Sequence, residues 1–338
     1  MSTYISTSTQ QMNSRTVMAS SLPLKIDVHH HYLPDAYRQA LSDAGGDPSG
    51  WPTPQWSLSA SESLMDTLGT SHAILSVTAP GPDILQGPDS AKLARTINEY
   101  GASLARSNPR IGFFAALPSL LDTSAALEEL RYALDELGAD GVTLFTRYGR
   151  GNQYLGDPAF APIWAELDAR AAVVFVHPTS GASVQLVNPT LPLPMLDYPQ
   201  ETTRAAADLI VTGVKRVHPR CKIILSHAGG TLPYLVGRLA MYSIVYPEKG
   251  SHAQIVEDAK SFYFDTALST DKHVLDLLTA WAGPDRILFG SDFPYAPTEG
   301  IKYFGKHLDE YRMSEEDRRK IYRENALALF PRFRNASS

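Results

Sequence analysis

At 338 residues, with 43% apolar and 20% charged side chains, the chain has the make-up of a soluble globular protein, long enough for one large α/β barrel or two ordinary domains. Its formal charge of -6 is mild and its signs are interspersed, which argues against nucleic acid or an anionic membrane as partner. No run approaches the roughly 18 apolar residues of a membrane span, and the single Cys221 leaves no intramolecular disulfide framework and no cysteine zinc site, so a cytoplasmic protein is expected.

Residues 1–24 are rich in Ser and Thr with Arg15 as their only charge, the pattern of a disordered or loosely attached tail. Residues 25–338 are expected to form a single domain. It opens on Lys25-Ile26-Asp27-Val28, an apolar strand that runs into His29-His30-His31-Tyr32-Leu33-Pro34. Alternate side chains of a strand share a face, so His29 and His31 point one way and His30 the other. Two imidazoles on one face at a strand end can fill two adjacent corners of a metal's coordination shell. The bland alternatives are an accidental histidine run or a purification tag, but a tag sits at a terminus in a Gly/Ser setting. Residues 43–63 are dense in Gly, Pro, Ser and Trp, and no Lys or Arg occurs from Gln39 through Ala91. Both features suit an uncharged lid or binding loop.

Beyond that loop, strands and helices alternate. Strands are expected at Ser71–Thr78, Ile111–Leu117, Gly141–Phe145, Val173–His177, Ile223–His227, Phe262–Asp265 and Ile287–Asp292. Helices are expected at Ser90–Ser107, Thr123–Leu137, Pro158–Ala172, Glu201–Val217, Leu232–Val245, Asp271–Ala282 and Ser314–Leu329, with a Pro-rich loop reaching about Pro199. With the first strand, this makes eight short apolar runs with little polar alternation, as in parallel strands covered on both faces. Eight such units point to a (β/α)8 TIM barrel with a loop insertion after strand one. A doubly wound sheet would carry a glycine fingerprint after its first strand, where this chain has histidines.

In such a barrel the chemistry sits at the C-terminal strand ends. His29 and His31 end strand one, His177 strand five, His227 strand six and Asp292 strand eight. Any one alone reads as a core histidine or a stray carboxylate. Together they take four of the ten histidines to one mouth.

Asp27-x-His29-x-His31, His177-Pro178, Ser226-His227-Ala228-Gly229-Gly230 and Gly290-Ser291-Asp292-Phe293-Pro294 resemble the amidohydrolase superfamily, over nearly everything from Lys25 to Pro331. Within it, the chain is similar to the aminocarboxymuconate-semialdehyde decarboxylase-like group of non-hydrolytic decarboxylases. The segments Ser76–Gly81 and Thr202–Ala206, with the loop after strand one, look closest to the 6-methylsalicylate decarboxylases of fungal polyketide pathways. The resemblance implies that His29, His31, His177 and Asp292 bind one divalent metal, zinc first, with magnesium or manganese as alternatives. Strand four has no lysine to bridge a second ion. His227 is then the unligated acid–base or orienting histidine, and Asp292 the proton donor at the ring carbon, with His227 as the alternative donor. The implied reaction turns 6-methylsalicylate into 3-methylphenol and carbon dioxide; the alternative is a lactonase or amidase of the same superfamily. Arg238 matches an arginine that some relatives reach across a dimer interface, and a homodimer or homotetramer is implied. Arg147 is a second candidate for the substrate carboxylate, and Phe293, Tyr295, Trp51, Trp56 and Tyr32 are candidates to wall the aromatic ring.

Overall fold

The structure is a computed structural model and describes residues 22–182 and 185–334. Most of the expected tail, residues 1–21, lies outside the described residues. Eight strands form one parallel sheet in chain order: β1 (Lys25–His31), β2 (Thr70–Ser76), β3 (Ile111–Ala116), β4 (Gly141–Phe145), β5 (Val173–His177), β6 (Lys222–Leu225), β7 (Tyr263–Asp265) and β8 (Ile287–Leu288). The segment after β8 closes the ring onto β1. Val28 N donates to Phe289 O at 3.0 Å, Asp292 N to His29 O at 2.8 Å and His31 N to Phe293 O at 2.6 Å. A two-residue antiparallel ribbon, Arg147–Tyr148 with Gln153–Tyr154, stands after β4.

Strict alternation does not hold in β1. A register shift between Asp27 and His30 lets Val28 join the barrel interior while His29 also meets Phe175 edge-on there, ring centroids 4.9 Å apart. Asp27 and His30 share the other side, where His30 Nδ1 meets Asp27 Oδ2 at 3.0 Å and His30 Nε2 meets Ser61 Oγ at 3.0 Å. His30 is thus a buried structural histidine, as its face in the sequence implied.

The barrel interior is filled by Ile26, Val28, Ile74, Phe114, Phe175, Ile224 and Leu288, all essentially inaccessible, and its N-terminal end is plugged by Phe330 and Phe333. A larger apolar cluster fills the space between the strands and the outer helices. Polar side chains therefore have one way to meet inside the barrel, above Phe175 at the C-terminal strand ends.

Some boundaries differ from expectation. The helix after β5 starts at Leu193 and carries Pro199 inside it, so the expected Pro-rich loop is already helical there. Residues 58–63 of the expected loop belong to a helix, Leu58–Leu68, capped by Ser57 Oγ accepting from Ala60 N. Helices Asp35–Asp43, His252–Lys260 and Thr298–Glu310 lie outside the expected set. The last has glycines at 300 and 305, and Gly305 permits close packing on Leu68. No helix among the described residues is long and apolar enough to cross a membrane.

Candidate active site

Four strand-end residues converge. His29, His31, His177 and Asp292 each offer one ligand atom, all within 4.8 Å of one another. His29 Nε2 stands 3.1 Å from His31 Nε2, and Asp292 Oδ1 is 3.3 Å from the first and 3.1 Å from the second.

The other ring nitrogens decide what these atoms can do. His29 Nδ1 donates to Asp265 Oδ2 at 2.9 Å, His31 Nδ1 to Ser76 O at 3.2 Å, and His177 Nδ1 to Pro178 O at 2.7 Å. Each Nδ1 faces an oxygen that accepts, so each Nε2 is left with its lone pair. With all three imidazoles neutral, the lone pairs and the carboxylate oxygen pointing at one another repel, and a cation in their midst, a proton on His29 Nε2 or a metal ion, removes that repulsion. The residues present therefore fit a divalent metal, through the nitrogen and oxygen donors that zinc and manganese accept.

Titration behaviour agrees with that crowding. Burial lowers the His31 and His177 pKa values, keeping these imidazoles neutral. Burial pulls His29 down too, but the Asp265 and Asp292 carboxylates outweigh it and raise its pKa to about 10. Burial raises the Asp292 pKa, and the neighbouring His29 charge overrides it, holding the carboxyl well below its ordinary value.

His227 stands beside this set, its ring centroid 4.9 Å from that of His29. Its Nδ1 donates to Ala267 O at 3.0 Å, which leaves Nε2 free to serve the cavity it lines. His227 and Asp292 both have left-handed backbones, φ 55° and 65°. Side-chain residues pay for that conformation in strain, and it is found where surrounding structure dictates the direction of a functional group.

Asp265 was not singled out in the sequence, although it ends β7 just as Asp292 follows β8. Its Oδ2 accepts from His29, and its Oδ1 accepts from the backbone N–H groups of His227 and Ala267 at 3.1 and 3.0 Å. One buried carboxylate therefore orients a candidate metal ligand, His29, and the neighbouring His227 together.

Above these groups lies a cavity of about 400 Å³. The loop after β1 contributes Asp47, Ser49 and Trp51, and the helix starting at Leu193 contributes Met195 and Tyr198. No Lys or Arg is among the lining residues described. Trp51 and Tyr295 line the cavity as expected, and Trp51 Nε1 donates to Tyr295 O at 3.0 Å.

Other ring and arginine candidates lie elsewhere. Tyr32 is fully buried in the helical layer, its hydroxyl donating to Ile97 O at 3.2 Å. Trp56 turns to Ser61 Oγ at 2.9 Å and packs on Tyr32 and Tyr100. Phe293 packs behind the site on His30 and within the Leu64, Ala296 and Ile301 cluster. Arg147 spends its guanidinium on the carbonyls of Gly149, Gly151 and Ser180, where it braces the ribbon after β4. Arg238 is exposed on the outer helix Leu232–Ala240 and does not reach this chain's cavity. Apart from Arg238 on its outer helix, local sequence could not separate these aromatic and basic residues from Trp51 and Tyr295, since they sit near strand ends or in the same loop.

Residues 26–332 match the amidohydrolase family. The chain belongs to that family. Among amidohydrolase relatives, the 6-methylsalicylic acid decarboxylase of Penicillium expansum is 52% identical over 316 residues, covering 92% of this chain and 97% of that protein. A solved amidohydrolase structure superposes with a TM-score of 0.84 at 33% identity, covering 91% of this chain and 99% of the other. The dihydroxybenzoic acid decarboxylase of Polaromonas sp. JS666, solved with bound manganese and the inhibitor 2-nitroresorcinol, superposes with a TM-score of 0.75 at 26% identity, covering 92% and 97%.

Proposed function

We propose that this amidohydrolase is a metal-dependent, non-oxidative decarboxylase of 2-hydroxybenzoates that converts 6-methylsalicylate into 3-methylphenol and carbon dioxide. The observation that carries the reading is the 52% identity, over nearly the full length of both chains, to a 6-methylsalicylic acid decarboxylase. The site supports it. A cavity without Lys or Arg suits a small, mostly apolar monoanion better than a dicarboxylate.

His29, His31, His177 and Asp292 would hold the ion, zinc by our reading, with manganese precedent in a relative. A divalent cation there supplies Lewis acidity to a carboxylate and an ortho hydroxyl. The chain's own groups manage the proton. Asp292, ionised in the free site, takes up a proton from solvent and passes it to the ring carbon that bears the carboxylate, making that carbon tetrahedral; the C–C bond then breaks, its electron pair returns to the ring, and carbon dioxide leaves. His227, oriented by Ala267 O and Asp265, holds Asp292 and the substrate in register. A homodimer or homotetramer is supported by the exposed apolar residues Tyr234, Met241, Ile244 and Val245 around Arg238.

The test is incubation of the purified protein with a panel of 2-hydroxybenzoates in D₂O. Carbon dioxide and a phenol with one deuterium at the former carboxylate position are expected, and His227→Ala should keep the metal while lowering kcat on the order of 10²-fold. A metal-loaded protein that opens lactones yet leaves every 2-hydroxybenzoate untouched would refute the assignment.

A further inference from the structure

One polar group in the cavity is unused by this chemistry. Tyr295 follows Asp292 by three residues, and its ring stands edge-on to His31, centroids 5.6 Å apart and planes at 89°. Its backbone carbonyl is held by Trp51 Nε1, which fixes the segment on which the ring is mounted. The hydroxyl is buried and has no hydrogen-bond partner. Neighbouring Tyr37 differs: its hydroxyl donates to Thr78 O at 2.9 Å and accepts from Gly81 N at 3.0 Å. A buried polar group without a partner is costly and uncommon, so one at a cavity wall marks a place where a ligand supplies the missing partner.

A phenol is protonated at neutral pH and therefore has a hydrogen to donate. The substrate brings oxygens to accept it. Beyond an ion held by the ligand cluster, no Lys or Arg lines the cavity, so the remaining partners of the carboxylate are neutral donors. Tyr295 is the buried donor there with nothing else to bond. We propose that the Tyr295 hydroxyl donates a hydrogen bond to the substrate carboxylate and is a specificity-determining group for acids over phenols. This rests on the 2-hydroxybenzoate reading above. The phenol product has no carboxylate, so it loses this contact, and the site distinguishes substrate from product by one hydrogen bond.

Tyr295→Phe is the test, since it keeps the ring against His31 and the carbonyl bonded to Trp51. Dissociation constants of 2-hydroxybenzoate and 3-methylphenol are measured on the purified holoenzyme by quenching of tryptophan fluorescence, to which Trp51 contributes. Loss of one hydrogen bond to a charged group should weaken the acid about 10- to 100-fold and change the phenol less than about 2-fold. KM for 6-methylsalicylate should rise more than kcat falls, and the thermal midpoint should stay at the wild-type value or above it, because the hydroxyl bonds nothing in the free protein. Unchanged affinity for the acid, or equal loss for acid and phenol, overturns the proposal. If wild-type protein decarboxylates salicylates while the variant binds the acid normally, only the role of Tyr295 falls; if wild-type protein neither binds nor decarboxylates them, the decarboxylase reading falls with it.

Discussion

Asp265→Asn changes one heavy atom and should disable the candidate ligand set. In the native site Asp265 Oδ2 accepts the proton of His29 Nδ1 at 2.9 Å, and Oδ1 accepts two backbone N–H groups. The asparagine can keep its carbonyl oxygen toward those two N–H groups. Its amide nitrogen then faces His29 Nδ1 as a second donor. The imidazole relieves that clash by moving its proton to Nε2, the atom 3.1 Å from His31 Nε2 and 3.3 Å from Asp292 Oδ1. The lone pair meant for the metal is lost, and a proton takes its place. Removing the partner that orients a ligating histidine lowers metal affinity about 10- to 100-fold. Exchanging one charge-assisted hydrogen bond for a donor–donor contact lowers stability by about 1.5–3 kcal/mol. Competition with a chromogenic chelator measures the first effect and urea unfolding the second. Activity should return in part at excess metal. A variant that holds metal as tightly as wild type would show that the His29 proton is not set by Asp265.

Two further outcomes are expected. His72 is buried at the start of β2, and burial with the charges of Arg323, Arg110 and Arg332 lowers its pKa from 6.5 to about 4. The unfolded chain therefore takes up a proton first as pH falls, so this contribution is intact above about pH 6.5 and is lost between there and about pH 4, by on the order of 3 kcal/mol. His72→Gln should flatten the pH dependence of urea unfolding over that window, and parallel curves for variant and wild type would contradict it. Gly230→Ala should cost about 3 kcal/mol or more, since φ is +62° and an added Cβ would collide with the Pro199 carbonyl oxygen. An unchanged urea midpoint would sink that expectation.

The barrel was legible because its physics is local. Strands buried on both faces must be apolar throughout, as Val173-Val174-Phe175-Val176 is, and polar residues then mark where they stop. His29, His31, His177, His227 and Asp292 stood out for that reason, and β5 carries His177 at the expected end. Asp265 carried the same signal at the end of Phe262-Tyr263-Phe264, but its work is to orient two histidines, and only contact reveals that.

What the chain alone determined was the set of strand-end groups and the layered core that forces them to one mouth. Tertiary structure decided which nitrogen of each histidine is free, because Nδ1 partners such as Asp265 come from 236 residues away in sequence. It also decided which aromatics wall the cavity. Tyr295 and Phe293 are two residues apart, yet one lines the cavity and the other packs on His30 behind it. Arg147 was drawn away from the substrate by three backbone carbonyls with no side-chain signature. Period and composition report how much of a residue is buried; which neighbour satisfies its last hydrogen bond is set by where the folded chain brings distant groups together.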